Sequence, residues 1–185
     1  MRKRLSDMTL EELWQLFPII LEEHKSYWTA WFEKEKINLE RILPQNARIS
    51  HIGSTAVPNI WAKPIVDILV EIESGMDGIK GVLTSNGYVC MSESANRISF
   101  NKGYTENGFA ERVFHLHLRY MGDNDEIYFR DYLIKNPDIA KEYEKLKLSL
   151  WKQFEHNRDE YTNQKTEFVR KYTEIAKEQR KWNLK

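Results

Sequence analysis

Gly53-Ser54-Thr55, within His51-Ile52-Gly53-Ser54-Thr55-Ala56-Val57-Pro58, is where residue types first suggest chemistry. A glycine and two hydroxyls placed after a strand and at the start of a helix offer close backbone approach, free N–H groups and neutral donors. Phosphate suits such a place, and a helix N-terminus would add a favourable dipole. The plainer reading is that Ser54 or Thr55 only caps a helix. The second feature is Asp67, inside Lys63-Pro64-Ile65-Val66-Asp67-Ile68-Leu69-Val70-Glu71. An acid in an apolar strand is costly to bury unless it is paired or bound to metal. Side chains alternate along a strand, so Asp67, Leu69 and Glu71 share one face. Glu71 is expected at a solvated strand end, as a reserve ligand. Lys63 is placed to meet phosphate or to form an ion pair.

Glycine-serine, a spacer, and an acid in a hydrophobic strand resemble the signature of the polymerase-β-type nucleotidyltransferase superfamily. More closely, residues 51–58 with Ala62-Lys63-Pro64-Ile65-Val66-Asp67-Ile68-Leu69 resemble the GrpB family. Phe114-His115-Leu116-His117-Leu118, Phe129-Arg130-Asp131-Tyr132-Leu133 and residues 161–169 are similar to that family too, so the likeness runs from about Trp28 to Val169. The resemblance implies a nucleotidyltransferase-like fold, Gly-Ser holding a triphosphate, and two acids, two residues apart, binding divalent metal for in-line transfer. Leu69 stands where the second acid would be. The function implied is metal-dependent nucleotidyl transfer, or related phosphate chemistry, on a nucleotide or phosphorylated small molecule. The alternative is a catalytically inactive binding module of the same fold.

The run Arg112–Tyr120 offers a partial replacement for the missing acid. His115, His117 and Arg119 alternate with Phe114, Leu116 and Leu118 and therefore line one face. Two imidazoles beside Asp67 can form a facial His-His-carboxylate metal site, or hold phosphate when protonated. A half-exposed strand shows the same alternation with no site at all. The expected catalytic residues are Asp67, His115 and His117, which are also the metal ligands for Mg, Mn or Zn. Substrate or phosphate binding is expected of His51, Gly53, Ser54, Thr55, Lys63, Arg97, Arg119 and Lys165. Lys102 points either into the same cleft or to solvent. Arg130-Asp131 is either a surface pair or a support for the histidine strand. Lys165 and Tyr161, one helical turn apart, sit in a charge-rich helix whose plainer reading is a solvated face.

These residues need elements to hold them. Thr9-Leu10-Glu11-Glu12 has capping-box spacing and opens a helix reaching Leu16, which Pro18 stops. Ile19–Glu23 reads as a short strand, and Ser26–Leu43 as a helix with Trp28, Trp31 and Phe32 on a broad apolar core face. Arg48–Ile52 and Ile65–Ile72 are strands, the latter buried on both faces. Met76–Ser85 is a helix and Tyr88–Met91 a strand. Arg97–Asn101 and Arg112–Tyr120 are strands separated by a turn region, Lys102–Gly108. After Asp125 the pattern turns helical, is broken at Asn136-Pro137, and continues as Ile139–Phe154 and Thr162–Lys181. The fold class is therefore α/β (α+β): a mixed sheet in the middle, flanked by helices, with the C-terminal helices packed on it.

Composition bounds the rest. A chain of 185 residues, 41% hydrophobic and 30% charged, suits a single domain spanning residues 1–185. Lys plus Arg number 28, equal to Asp plus Glu, so the basic excess that duplex binding needs is absent and nucleic acid is disfavoured as a partner. The one cysteine, Cys90, excludes an internal disulfide and a cysteine metal cage and reads as a small buried hydrophobe. No run approaches a membrane span and no apolar segment follows the basic start, so the expected location is the cytoplasm.

Overall fold

The computed structural model describes residues 3–183. The β-branched run at Val66–Ile72 forms the strand β2, in which every residue except Asp67 is buried. It lies between β1 (Arg48–Ile52), antiparallel to it, and β5 (Gly108–Tyr120), parallel to it. Antiparallel β4 (Arg97–Thr105) and β3 (Val89–Glu93) complete a five-stranded mixed sheet of order β1-β2-β5-β4-β3. The register is decisive for function, because Asp67 stands opposite His115 and Leu69 opposite His117.

Each face of the sheet has its own cover. Val66, Ile68, Val70 and Ile72 join Leu116, Leu118, Ile98 and Phe100 on one side. There they pack against α2 (Tyr27–Glu40), through Trp28, Phe32 and Leu39, and α3 (Met76–Ser85), through Met76, Ile79 and Leu83. Each such side chain contributes roughly 1.5–3 kcal/mol by leaving water, which is why this face fixes the strand register. Asp67, His115 and His117 alternate to the opposite face. Over that face lie α4 (Asp125–Lys135), α5 (Pro137–Phe154) and α6 (Arg158–Asn183), joined to the Val57–Ile60 segment by a second apolar cluster around Leu133, Ala140 and Tyr143. A third cluster ties Ile19 and Leu21 to Leu150 and Tyr161.

Several sequence expectations need correction. The Thr9 capping box forms and opens α1 (Leu10–Leu16), but Ile19–Glu23 is no strand; it makes only an isolated bridge, Glu22 to Ala62. The expected turn region Lys102–Gly108 is mostly strand, since β4 and β5 continue outward as a hairpin. Gly103 makes this possible: it has φ +92°, and a Cβ there would lie 2.3 Å from the Arg112 carbonyl oxygen. The segment after β1 is a single 3₁₀ turn, Ser54–Ala56, so no helix dipole is available to Gly53-Ser54-Thr55. Cys90 is only partly buried, on the edge strand β3.

Candidate functional site

Asp67 keeps 28% of its side chain exposed and directs one carboxylate oxygen to both histidines, 3.3 Å from His115 Nδ1 and 3.7 Å from His117 Nε2. Burial alone would raise its pKa, but the close approach of the His115 and His117 rings outweighs that and holds the carboxyl well below the usual range. The other oxygen lies against Gly53. A Cβ there would be 2.3 Å from Asp67 Oδ2, and the backbone has φ +71°, so only glycine brings this turn onto the acid. The three side chains expected as metal ligands thus meet one another. Among the described residues no group of three His, Cys, Asp or Glu side chains is placed to hold a metal ion.

His115 reaches further. Its Nε2 is 2.8 Å from the Tyr104 hydroxyl, which accepts a hydrogen bond from Arg158 Nη2 at 2.6 Å. A chain of polar contacts therefore runs from Asp67 through His115 and Tyr104 to Arg158. Burial pushes His115 downward, against the opposing pull of Asp67, so the ring favours neutrality.

In front of this chain opens a cavity of about 600 Å³, lined by Gly53, Ser54, Thr55, Lys63, Asp67, His115, Tyr143, Lys147, Arg158, Tyr161 and Lys165, among others. Lys63 comes from the segment before β2, Lys147 from α5, and Arg158 and Lys165 from α6. Burial, reinforced by the neighbouring cations, lowers all three lysines: Lys63 far below its ordinary value, Lys147 to about 7 and Lys165 to about 8. None of the three has an ion-pair partner among the described residues. Lys147 donates to the Trp61 carbonyl, and Lys165 lies over the Tyr161 ring, 4.2 Å from its centre. Ser54 and the Tyr143 ring line the same wall. A buried cavity with several unpaired cations and hydroxyl donors is arranged to receive an anion with more than one charge.

Not every expected residue lines it. His51 is on the opposite face of the sheet, stacked 4.7 Å from Phe32; its Nε2 lies 2.9 Å from Thr55 Oγ1, which donates to the Ile65 carbonyl at 3.3 Å. His51 and the Thr55 hydroxyl therefore brace the turn from behind. Arg119 is buried beside Glu126 at 3.7 Å and outside the cavity lining, and Arg97 is held by both oxygens of Asp123. Glu71, expected in solvent, is 2% exposed and accepts from Gly122 N and Asn124 Nδ2, which makes it a loop clamp. Lys102 projects to the far face and pairs with Glu35 at 2.6 Å. Arg130 braces β1, through the His51 carbonyl at 2.7 Å, and not the histidine strand. The Tyr161–Lys165 face, for which solvent is the plainer reading of the sequence, is a wall of the cavity, with Tyr161 1% exposed and Lys165 in the lining.

Sequence reasoning missed Tyr104, Lys147 and Arg158. Lys147 left a signal: it interrupts the inward row Tyr143, Leu150 and Phe154 of α5, where a cation has no reason to be buried. Tyr104 and Arg158 left none.

Comparison with known proteins places the chain among relatives. A family model described as GrpB protein matches residues 18–175. The chain is 38% identical over 160 residues to the glutamate-rich protein GrpB of Alkalihalophilus pseudofirmus, covering 82% of this chain and 91% of that one. The crystal structure of conserved protein GrpB from Enterococcus faecalis superposes with a TM-score of 0.74 at 33% identity, over 85% of this chain and 96% of that chain. A looser overlap, TM-score 0.49 at 17% identity, covers 77% of this chain and 45% of Cid1 poly(U) polymerase with MgGTP bound. Among the described residues no helix is long and apolar enough to cross a membrane.

Proposed function

The chain belongs to the GrpB family, and on that premise we propose that it is a nucleotidyltransferase-like protein acting on a nucleotide or phosphorylated small molecule. The observation that carries this reading is the convergence of Lys63, Lys147, Lys165 and Arg158 on a cavity whose floor is Gly53-Ser54 beside Asp67. Phosphate groups satisfy the cations; the Gly53 turn brings their phosphorus next to the carboxylate. A divalent metal, Mg or Mn, enters as part of the substrate, carried on its phosphates. Asp67 is the carboxylate available to it, and a resident site built from His115 and His117 is not part of the reading. The chemistry such a metal supplies is charge neutralisation on the transferring group.

A second reading is favoured by one residue. Leu69 is fully buried at the position of the second acid, which suits a protein that binds the phosphate ligand without turning it over. The two are separated by incubating the protein with nucleoside triphosphates, Mg or Mn and a panel of hydroxyl acceptors, with pyrophosphate release measured. Turnover that Asp67→Asn reduces by at least about a hundredfold supports the enzyme. Binding of the triphosphate with no product supports the binder. Neither binding nor turnover removes both.

A further inference from the structure

Asp67 does not stand in one cavity but in the wall between two. Beyond it lies a groove of about 690 Å³, between the sheet and helices α4 and α6. Gly53, Ser54, Asp67, Tyr143, Thr162 and Lys165 line both spaces, so the two are continuous around the carboxylate. Their chemistry differs. In the first the lysines are unpaired. In the groove the charged rim is largely satisfied within the protein: Arg97 on Asp123, Arg130 on Asp131 and the His51 carbonyl, and Lys177 on Asp125. Polar groups remain there as well, His117, Arg170 and Glu174 among them, but the body of the groove is formed by Ile52, Val57, Phe129, Leu133 and Val169.

We propose that the ligand is a phosphate ester with an apolar, ring-sized organic body, its phosphates in the lysine cavity and its body in the groove. This rests on the reading of the lysine cavity as a phosphate site and narrows the class of molecule that fills it. Charge complementarity gives the orientation, because beyond the shared Lys165 an anion in the groove would meet Asp125, Glu126 and Glu174 and, Arg170 apart, cations already paired. An apolar ring, such as a base or another aromatic group, gains by leaving water against Phe129 and Val169. Size agrees, since each space is within the range of small-molecule sites.

The test is a calorimetric titration with pyrophosphate, methyl phosphate and 1-naphthyl phosphate. The expected result is that all three bind, and that naphthyl phosphate binds about tenfold or more tightly than methyl phosphate, from burial of its rings. Thr166→Trp, at an exposed lining position on α6, fills the groove without touching the core. It should abolish the naphthyl advantage and leave pyrophosphate affinity unchanged. If pyrophosphate and methyl phosphate bind but naphthyl phosphate gains nothing, the groove proposal is overturned while the phosphate site stands. If the naphthyl gain survives Thr166→Trp, the body lies elsewhere and the proposal is overturned too. If none of the three binds, the phosphate reading itself fails.

Discussion

His51 shows how one residue can sit inside a chemical signature and do none of the chemistry. Its ring is stacked on Phe32 and serves Thr55, so it shapes the Gly53 turn from beneath the sheet. Because Thr55 Oγ1 already donates to Ile65, His51 must present Nε2–H to it, which the neutral Nε2–H tautomer supplies without a buried charge. Burial lowers its pKa from 6.5 to about 4. The folded state therefore resists a proton that the unfolded state accepts. The resulting stability is complete above pH 6.5, is lost as pH falls toward 4, and amounts to roughly 3 kcal/mol across that window. His24 and His115 shift in the same direction, so the wild-type curve alone does not isolate His51. Urea unfolding of wild type and His51→Gln should give curves that differ most near pH 7 and converge by about pH 4. A difference independent of pH would mean that the imidazole titrates alike in the folded and unfolded chain, and that burial does not shift it.

At the scale of elements, β4 decides what the histidine strand can do. Strict alternation would put Tyr104 with Phe100 and Lys102, facing α2. The register shift between Lys102 and Tyr104, at Gly103, turns the tyrosine to the other face, where it meets His115. Gly103→Ala should cost at least about 1–2 kcal/mol for a left-handed alanine, before its contact with the Arg112 carbonyl is relieved. Melting should drop by several degrees, and the His115 ring should titrate at a different pH by NMR. An unchanged melt with an unchanged His115 titration would show that the bulge is incidental. The same element shows where the sequence stops being readable. Period-two alternation is enough to put His115 and His117 on one face of their strand, but that Asp67 shares that face follows only from the pairing of β2 with β5. Tyr104 could not be found that way, since a bulge breaks the period. Arg158 reaches the cavity only through the packing of α6 on the sheet, which no local pattern encodes, and the helical pattern of α6 by itself leaves Lys165 as readily in solvent. In the sequence the outer hairpin has the look of a turn region, because its glycines signal punctuation whether they end a strand or bend it.

Across the whole molecule, the zero net charge conceals an uneven distribution. Lys147 is buried and Lys63 and Lys165 are half-buried around one cavity, none of them paired with a carboxylate among the described residues, and folding without a ligand carries the cost. Each has a folded pKa below its ordinary 10.5, so the unfolded chain binds more protons and stability falls as pH drops from 10.5 toward about 7 for Lys147 and about 8 for Lys165. For Lys147 this amounts to roughly 4 kcal/mol at pH 7, against about 1–3 kcal/mol lost if the Trp61 carbonyl loses its donor. Lys147→Met should therefore stabilise the unliganded protein by about 1–3 kcal/mol, while most of the melting-temperature gain that pyrophosphate gives wild type disappears. Stability and binding would then move in opposite directions, as they do when a site is kept strained for its ligand. Differential scanning calorimetry at pH 7, with and without pyrophosphate, measures both. A variant that melts lower than wild type yet keeps the full pyrophosphate gain would show that Lys147 is a structural hydrogen-bond donor and that the anion is held by other groups.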